Sequence, residues 1–296
     1  AIAKNTAKLK PQHIRRQGRS IQPAAGAVQS LLQFRPNQNM STYDFIYKLV
    51  TTLMINNNAF AYPYWTQRGL EAIWPVNCTR GDIVQDNSGV LFVRFIFGAG
   101  EQVVIPYSEV IHLRRHFYDG DIWGAANTTL DTTLEAIHTS EEGLGNAIKT
   151  SGSLRGIIKY QGLLKDEDIK KNRDRFVNEY MTVSNEGGIA ALDSKADYIE
   201  LKGEPKIASA AQMKELRTSI YRYYGVSEGI VQGDYDENEW NAFYSSTIEP
   251  LAIQMSQEFT AKLFTGNEMN RGNEIIFSAN RLAYASNDTK VKMAKE

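Results

Sequence analysis

The stretch AANTTLDTTLEAIHTSEEGLGNAIK, residues 125–149, decides the fold when set beside SAAQMKELRTSIYRYY, residues 209–224. In the first, Leu130, Leu134, Ile137, Leu144 and Ile148 recur at helical spacing, with Glu141 interrupting the stripe. At 1.5 Å per residue this predicts a rod about 37 Å long. Gly143 and Gly145 each cost such a helix up to about 1 kcal/mol against Ala, so they mark either a break or a close approach by another helix. In the second stretch Met213, Leu216, Ile220 and Tyr224 share a face, Lys214, Glu215, Arg217 and Arg222 occupy others, and Gly225 is placed as a C-terminal cap. Residues 151–207 between the rods predict a small α/β insert. It has a strand at 156–160, a helix at 166–181 with Ile169, Phe176, Val177 and Tyr180 inward, and strands at 189–192 and 198–201. Two rods bracketing a compact module suggest a stalk with a tip.

Upstream, Ser41 and Asp44 form a capping-box-like start to a helix over 42–55, which carries Phe45, Leu49 and Leu53 and stops at Asn56-Asn57-Asn58. The period then changes to two. Strands are predicted at 59–65, 70–74, 83–84, 90–97, 102–105 and 110–113, separated by Gly- and Asn-containing turns, which together read as a β-meander. Downstream of Gly225 lies a polar loop ending in Asp234-Tyr235-Asp236-Glu237-Asn238-Glu239. A helix over 240–265 follows, with Phe243, Ile248, Leu251, Met255, Phe259 and Leu263 on its apolar face. Pro250 removes one of its hydrogen bonds and should kink it, and Gly266 is read as its end.

The chain has 296 residues, 42% hydrophobic and 23% charged, enough to bury a core in two domains or in one with a large insertion. No stretch approaches the roughly 20 apolar residues of a membrane helix, and the N-terminus lacks a secretory core, so the expected location is a cytoplasm or a particle assembled there. Cys78 is the sole cysteine and excludes an internal disulfide; a packed, inert thiol is expected. The formal net charge of −1 conceals an asymmetry. Residues 1–43 hold no acidic side chain, while Lys4, Lys8, Lys10, Arg15, Arg16, Arg19 and Arg35 carry about +7, leaving about −8 elsewhere. Residues 1–40 therefore read as a basic arm that either touches phosphates or, as the favoured reading, lies extended on an acidic neighbour.

Most enzyme classes fail on motifs. There is no G-x-x-x-x-G-K-[ST] loop, no H-E-x-x-H and no G-x-S-x-G. His112 and His116 are four apart, but the first sits in a strand pattern and Arg114-Arg115 would repel a cation, so no metal site and no cofactor are expected. Asp166, Glu167 and Asp168 occupy a first helical turn, where negative charge favours the free N–H groups without any catalytic role. The run 234–239 could hold Mg²⁺ for phosphodiester cleavage, which makes a metal-dependent nuclease the second reading, although a solvated charge run explains it as well. No zinc finger, basic recognition helix or RNA-binding motif appears, so a specific nucleic-acid reader is not indicated. A scaffold protein without a DNA partner is a third reading.

Several ordered segments resemble the portal proteins of tailed bacteriophages with chainmail-type capsids. They are Phe34-Arg35-Pro36-Asn37 with Met40-Ser41, Asn58-Ala59-Phe60-Ala61-Tyr62, Leu70 through Trp74-Pro75-Val76, Val110-Ile111-His112-Leu113 and Gly124. Further on come Ser153-Leu154-Arg155-Gly156-Ile157-Ile158 with Asp166-Glu167, then Tyr224-Gly225-Val226 and the helix bearing Pro250. The resemblance covers about residues 31–264. It implies an α+β portal-like fold and no catalytic residues. The β-rich wing would be residues 41–124 with 266–296, the stem helices 125–150 and 208–225, the clip module 151–207, the tunnel loop 226–239 and the long kinked helix 240–265. It further implies a ring of about twelve subunits around double-stranded DNA. Its expected partners are terminase, the major capsid protein and head-completion or tail adaptor proteins, at the portal vertex of a virion assembled in the bacterial cytoplasm. On this map Asp234, Asp236, Glu237, Asn238 and Glu239 border the tunnel, and Lys165, Asp166, Lys170, Lys171 and Arg173 meet terminase or adaptors. Two departures stand out: Lys165 sits where a capping Ser or Asp belongs, and no helical crown precedes Lys295-Glu296, so a trimmed or crownless form is expected.

Overall fold

A computed structural model describes residues 1–118, 120, 122–150, 156–160, 166–180, 196–200 and 209–278. The fold is α+β, and the chain divides into two compact units, Ala1–Thr132 with Arg217–Glu296, and Thr133–Leu216. In chain order the first unit opens with α1 (Ile2–Thr6), β1 (Lys10–Gln17), β2 (Ser20–Pro23), α2 (Ala27–Gln33) and α3 (Thr42–Asn56). Six strands follow: β3 (Asn58–Thr66), β4 (Gly69–Pro75), β5 (Arg80–Gln85), β6 (Leu91–Ile96), β7 (Gln102–Pro106) and β8 (Ile111–Arg114).

The capping box at Ser41 is present: its hydroxyl accepts from the Asp44 N–H, and the Asp44 carboxylate accepts from the Ser41 N–H. The helix ends at Asn57 in the left-handed region, φ 55°, a conformation Asn tolerates better than most residues. The strands do not make one continuous meander. They form two three-stranded antiparallel sheets, β4-β3-β8 and β5-β6-β7. Pro106 and the 3₁₀ turn Tyr107–Glu109 break the ladder after β7. Beyond them, Ile111, His112 and Leu113 are all buried, as are Ala59, Phe60 and Ala61 opposite, so β8 pairs with β3 inside the protein instead of extending the more exposed sheet.

Residues 1–40 are not an extended arm. β1 lies in a third sheet, ordered β11-β1-β2, where β11 is Asn273–Ser278 and its register runs from Lys10 opposite Ser278 to Arg15 opposite Asn273. Ile2, Ala7, Leu9 and Ile14 are buried, while every lysine and arginine that set the arm's charge is exposed. The charge count thus registered only the outer face of a folded segment.

Beyond the insert the first unit continues with α7 (Glu228–Gln232), α8 (Glu237–Phe243), a π-helical turn (Tyr244–Ile248), α9 (Glu249–Leu263) and α10 (Gly266–Asn270). The bend anticipated at Pro250 takes the form of that π turn immediately before it. Pro250 has no N–H for the carbonyl four residues back and its ring crowds that carbonyl, so the helix widens by one residue and restarts with proline in its first turn. The apolar face is as the periodicity predicts: Phe243, Ile248, Leu251, Met255, Phe259 and Leu263 are all buried. They pack with Phe45, Ile46, Leu49, Val50 and Leu53 of α3 and with Ile275 and Phe277 of β11 in the main core. Gly266 does not end this helix. Phe264 leaves it in an extended conformation, and Thr265 with Glu268 forms a second capping box that starts α10.

α4 (Asp131–Thr150), which passes into the second unit at Thr133, begins after a 3₁₀ turn at Thr128–Leu130, later than the expected start at residue 125. It runs through Gly143 and Gly145 without a break, and among the described residues of the chain a Cβ built on either meets nothing within 4 Å. β9 (Gly156–Tyr160) pairs antiparallel with β10 (Ala196–Glu200), and α5 (Asp166–Tyr180) stands between them in the chain. The expected strand at 189–192 lies outside the described residues, as do the side chains of Phe176, Val177 and Tyr180. Ile169, expected inward, is 44% exposed. The chain returns to the first unit within α6 (Ala210–Tyr224), capped by Gly225 at φ 64°.

Candidate functional site

The acidic run at 234–239 is a helix start. Gly233, left-handed at φ 85°, ends α7, and Asp236 is the N-cap of α8, its carboxylate accepting from the Glu239 N–H at 2.7 Å. Glu237 and Glu239 occupy the first turn, where they face the positive end of the helix dipole. Tyr235 stacks on Trp240 with centroids 5.5 Å apart and ties the turn to the core. The segment is therefore two short helices with a tight link, and not a flexible loop. Asp234, Asp236, Asn238 and Glu239 are exposed and Glu237 is half-buried. Among the described residues no three His, Cys, Asp or Glu side chains stand together where they could hold a metal ion, so the nuclease reading gains no support from this geometry.

Of the residues assigned to docking, Lys165 lies outside the described residues and Asp166 opens α5. Lys170, Lys171 and Arg173 are exposed, and Arg173 pairs with its neighbour Asp174. The charge on this helix is presented to solvent.

The two histidines have structural environments. The Asn58 side chain donates to the carbonyls of Asn56 and Gly124, and its oxygen accepts from the Gly124 N–H at 2.8 Å. That oxygen therefore also accepts from His112 Nε2–H at 3.1 Å, leaving Nδ1 to accept from the Tyr107 hydroxyl at 3.0 Å. The ring stacks on Phe60 with centroids 4.2 Å apart. Burial first, then the charges of Arg114 and Lys262, lowers the His112 pKa to about 3. Between that value and the ordinary 6.5 the unfolded chain takes up a proton that the folded one refuses, so stability falls with falling pH through this window. His112→Gln should flatten this limb, which in the parent loses up to about 1.4 kcal/mol per pH unit. Thermal melts from pH 7 to 4.5 check it; an unchanged slope in the variant would place the acid sensitivity elsewhere. His116 sits at φ 50° with its ring 5.1 Å from Tyr223. Cys78 is half-buried against the smaller core, and burial raises its thiol pKa.

Sequence reasoning missed the cleft of about 380 Å³ beside Arg115, lined also by Arg114, Arg222, Tyr223, Tyr224 and Gln254. Its only sequence signal was the Arg114-Arg115 pair, read there solely as an obstacle to metal binding. Arg114 donates to the Ile122 carbonyl at 3.1 Å and lies 4.1 Å over the Phe117 ring. Arg115 lies over Tyr224 and Tyr223 at 5.1 and 5.6 Å, and burial lowers its pKa.

Comparison with known proteins bears on what this architecture is. The probable portal protein of Lactococcus phage p2 is 26% identical over 188 residues, which cover 62% of this chain and 46% of that protein. A chain from the neck of a native gene transfer agent (GTA) particle, computed with C12 symmetry, superposes over 100% of this chain and 83% of its own with a TM-score of 0.70 at 15% identity. An HK97 family phage portal protein from Corynebacterium diphtheriae covers 96% of this chain and 91% of its own, with a TM-score of 0.57 at 14% identity. The family model described as phage portal protein matches residues 1–296. With that match spanning every residue, and with the α+β fold shared by the solved relatives, the chain belongs to the phage portal protein family.

Proposed function

We propose that this chain is the structural, non-enzymatic subunit of a ring of about twelve copies whose axial channel passes double-stranded DNA during packaging and ejection. The observation that carries the proposal is the family match over the whole chain, joined to a fold shared with a neck particle of C12 symmetry. Exposure along α4 supports it: Leu134 and Leu144, on the apolar stripe, are 48% and 47% exposed in the single chain, a surface that adjoining copies would cover. In this reading residues 41–124 with 266–296 supply the wing, 125–150 and 208–225 the stem, 151–207 the clip, and 226–239 the tunnel segment. The partners would be terminase, the major capsid protein and head-completion or tail adaptors, at the portal vertex of a virion assembled in the host cytoplasm.

Translocation needs weak contact, because each phosphate neutralised by the protein adds salt-dependent attraction and a tightly gripped duplex stalls. Carboxylates at 234–239 would keep the duplex sliding. Changing Asp234 and Asp236 to Asn and Glu237 and Glu239 to Gln preserves the cap of α8, since Asn caps as well as Asp. Packaging should change while ring assembly persists, read by packaged DNA length and native mass; unaltered packaging would remove these residues from the channel. At the clip, reversing Lys170 and Lys171 to Glu should weaken terminase docking, and untouched docking would count against that assignment.

A further inference from the structure

We propose that the cleft beside Arg115 binds a carboxylate carried by an adjoining copy of this chain, so that it is an intersubunit lock. The partner half of this proposal rests on the ring reading; the anion site does not. Among the described residues Arg115 has no carboxylate within ion-pair distance, and its Nη1 is buried without a hydrogen-bond partner. The side chain is half-buried and a guanidinium cannot shed its charge by deprotonation, so an anion beside it offsets part of the cost of that burial. The side chain is held for such a contact by the Tyr223 and Tyr224 rings, while its own backbone N–H is fixed to the Asn57 carbonyl at 2.8 Å. Arginine offers the planar fork that matches a carboxylate in two parallel hydrogen bonds.

A second orphan in the same cleft selects the occupant. Gln254 donates to the Arg114 carbonyl at 2.8 Å, which fixes its amide and leaves its Oε1 buried without a donor. A plain anion satisfies Arg115 alone, whereas an occupant that brings an N–H or O–H together with its negative charge satisfies both groups. A polypeptide segment carries both, since an acidic side chain is flanked by backbone N–H groups. A DNA backbone offers phosphate and sugar oxygens alone, with its donors confined to base edges in the grooves. A closed ring has heterologous contacts, in which one patch of a subunit meets a different patch of the next. With about −8 of charge outside residues 1–43, the same chain presents abundant carboxylates for that role.

The test compares the parent chain with Arg115→Met and with Ser246→Glu, which places a carboxylate from an exposed position at the cleft wall, where it would compete for Arg115. Melting is measured in sodium sulfate against sodium chloride at equal ionic strength, and native mass is measured over a concentration series. The proposal expects a saturable rise in the parent's midpoint with sulfate, its loss in both variants, and assembly weakened roughly thirtyfold or more in both. An equal sulfate response in parent and variants would overturn the anion site. A lost response with assembly at parental strength would overturn the partner, and weaker binding of a short duplex by those variants would make DNA phosphate the occupant. A parent that responds to sulfate yet remains monomeric would sink the ring reading, and the neighbouring copy with it, while leaving the anion site standing.

Discussion

Deleting residues 1–17 unfolds the first unit. The deletion removes Ile2, Ala7, Leu9 and Ile14, all buried, together with β1, the central strand of its sheet. The three larger side chains alone contribute about 1.5–3 kcal/mol each. Their sum approaches the roughly 5–15 kcal/mol by which a domain is stable at all. β11 loses its partner as well, and with it the hydrogen bonds that hold the strand carrying Ile275 and Phe277 of the core. Circular dichroism should show no cooperative melt for the truncated chain. A basic arm merely appended to the fold would instead leave the melting curve in place, so survival of a cooperative transition would reverse the assignment of this segment.

Phe259→Ala is the second large effect. Phe259 is fully buried, its ring edge-on to Phe45 of α3 at 6.3 Å and to Phe277 of β11 at 5.3 Å. It therefore joins α9 and β11 to α3, which lies far upstream in the chain. Truncation leaves a cavity none of them can close, since helix and strand are each held by their own hydrogen bonds, and costs about 3–5 kcal/mol. For a unit of this size the midpoint should fall by roughly 6–20 °C. Phe34→Ala provides the contrast: at 66% exposure it should shift stability by no more than about 0.5 kcal/mol. Equal effects from the two substitutions would mean that α9 does not occupy the core as described.

What could be read from the residues depended on how local the governing physics is. The helix at 42–55 was legible because its cap, its stripe and its terminating asparagines all lie within the segment. The hairpins at 67–68 and 86–89 were legible for the same reason. The apolar face of α9 was legible too, but not the π turn, because how a helix absorbs a proline depends on the neighbours it must keep packed. The pairing of β8 with β3 was hidden, since it is set by burial of both strands between other layers. β1 was hidden twice over: its partner lies about 260 residues away, and its outward charges dominated its composition. At the acidic run, the sequence made the residues visible and their capping role obscure, because Asp236 caps α8 only once Gly233 has ended α7. Arg115 was legible only as a charge beside the histidines, because a half-buried cation without a carboxylate partner is defined by what is absent around it in space.

The most direct measurement is the native mass of the chain by light scattering over a range of concentrations. A closed assembly of about twelve copies, holding its size on dilution, is the expected result. A species of monomer mass at every concentration would contradict the account of this chain as a ring-forming portal subunit.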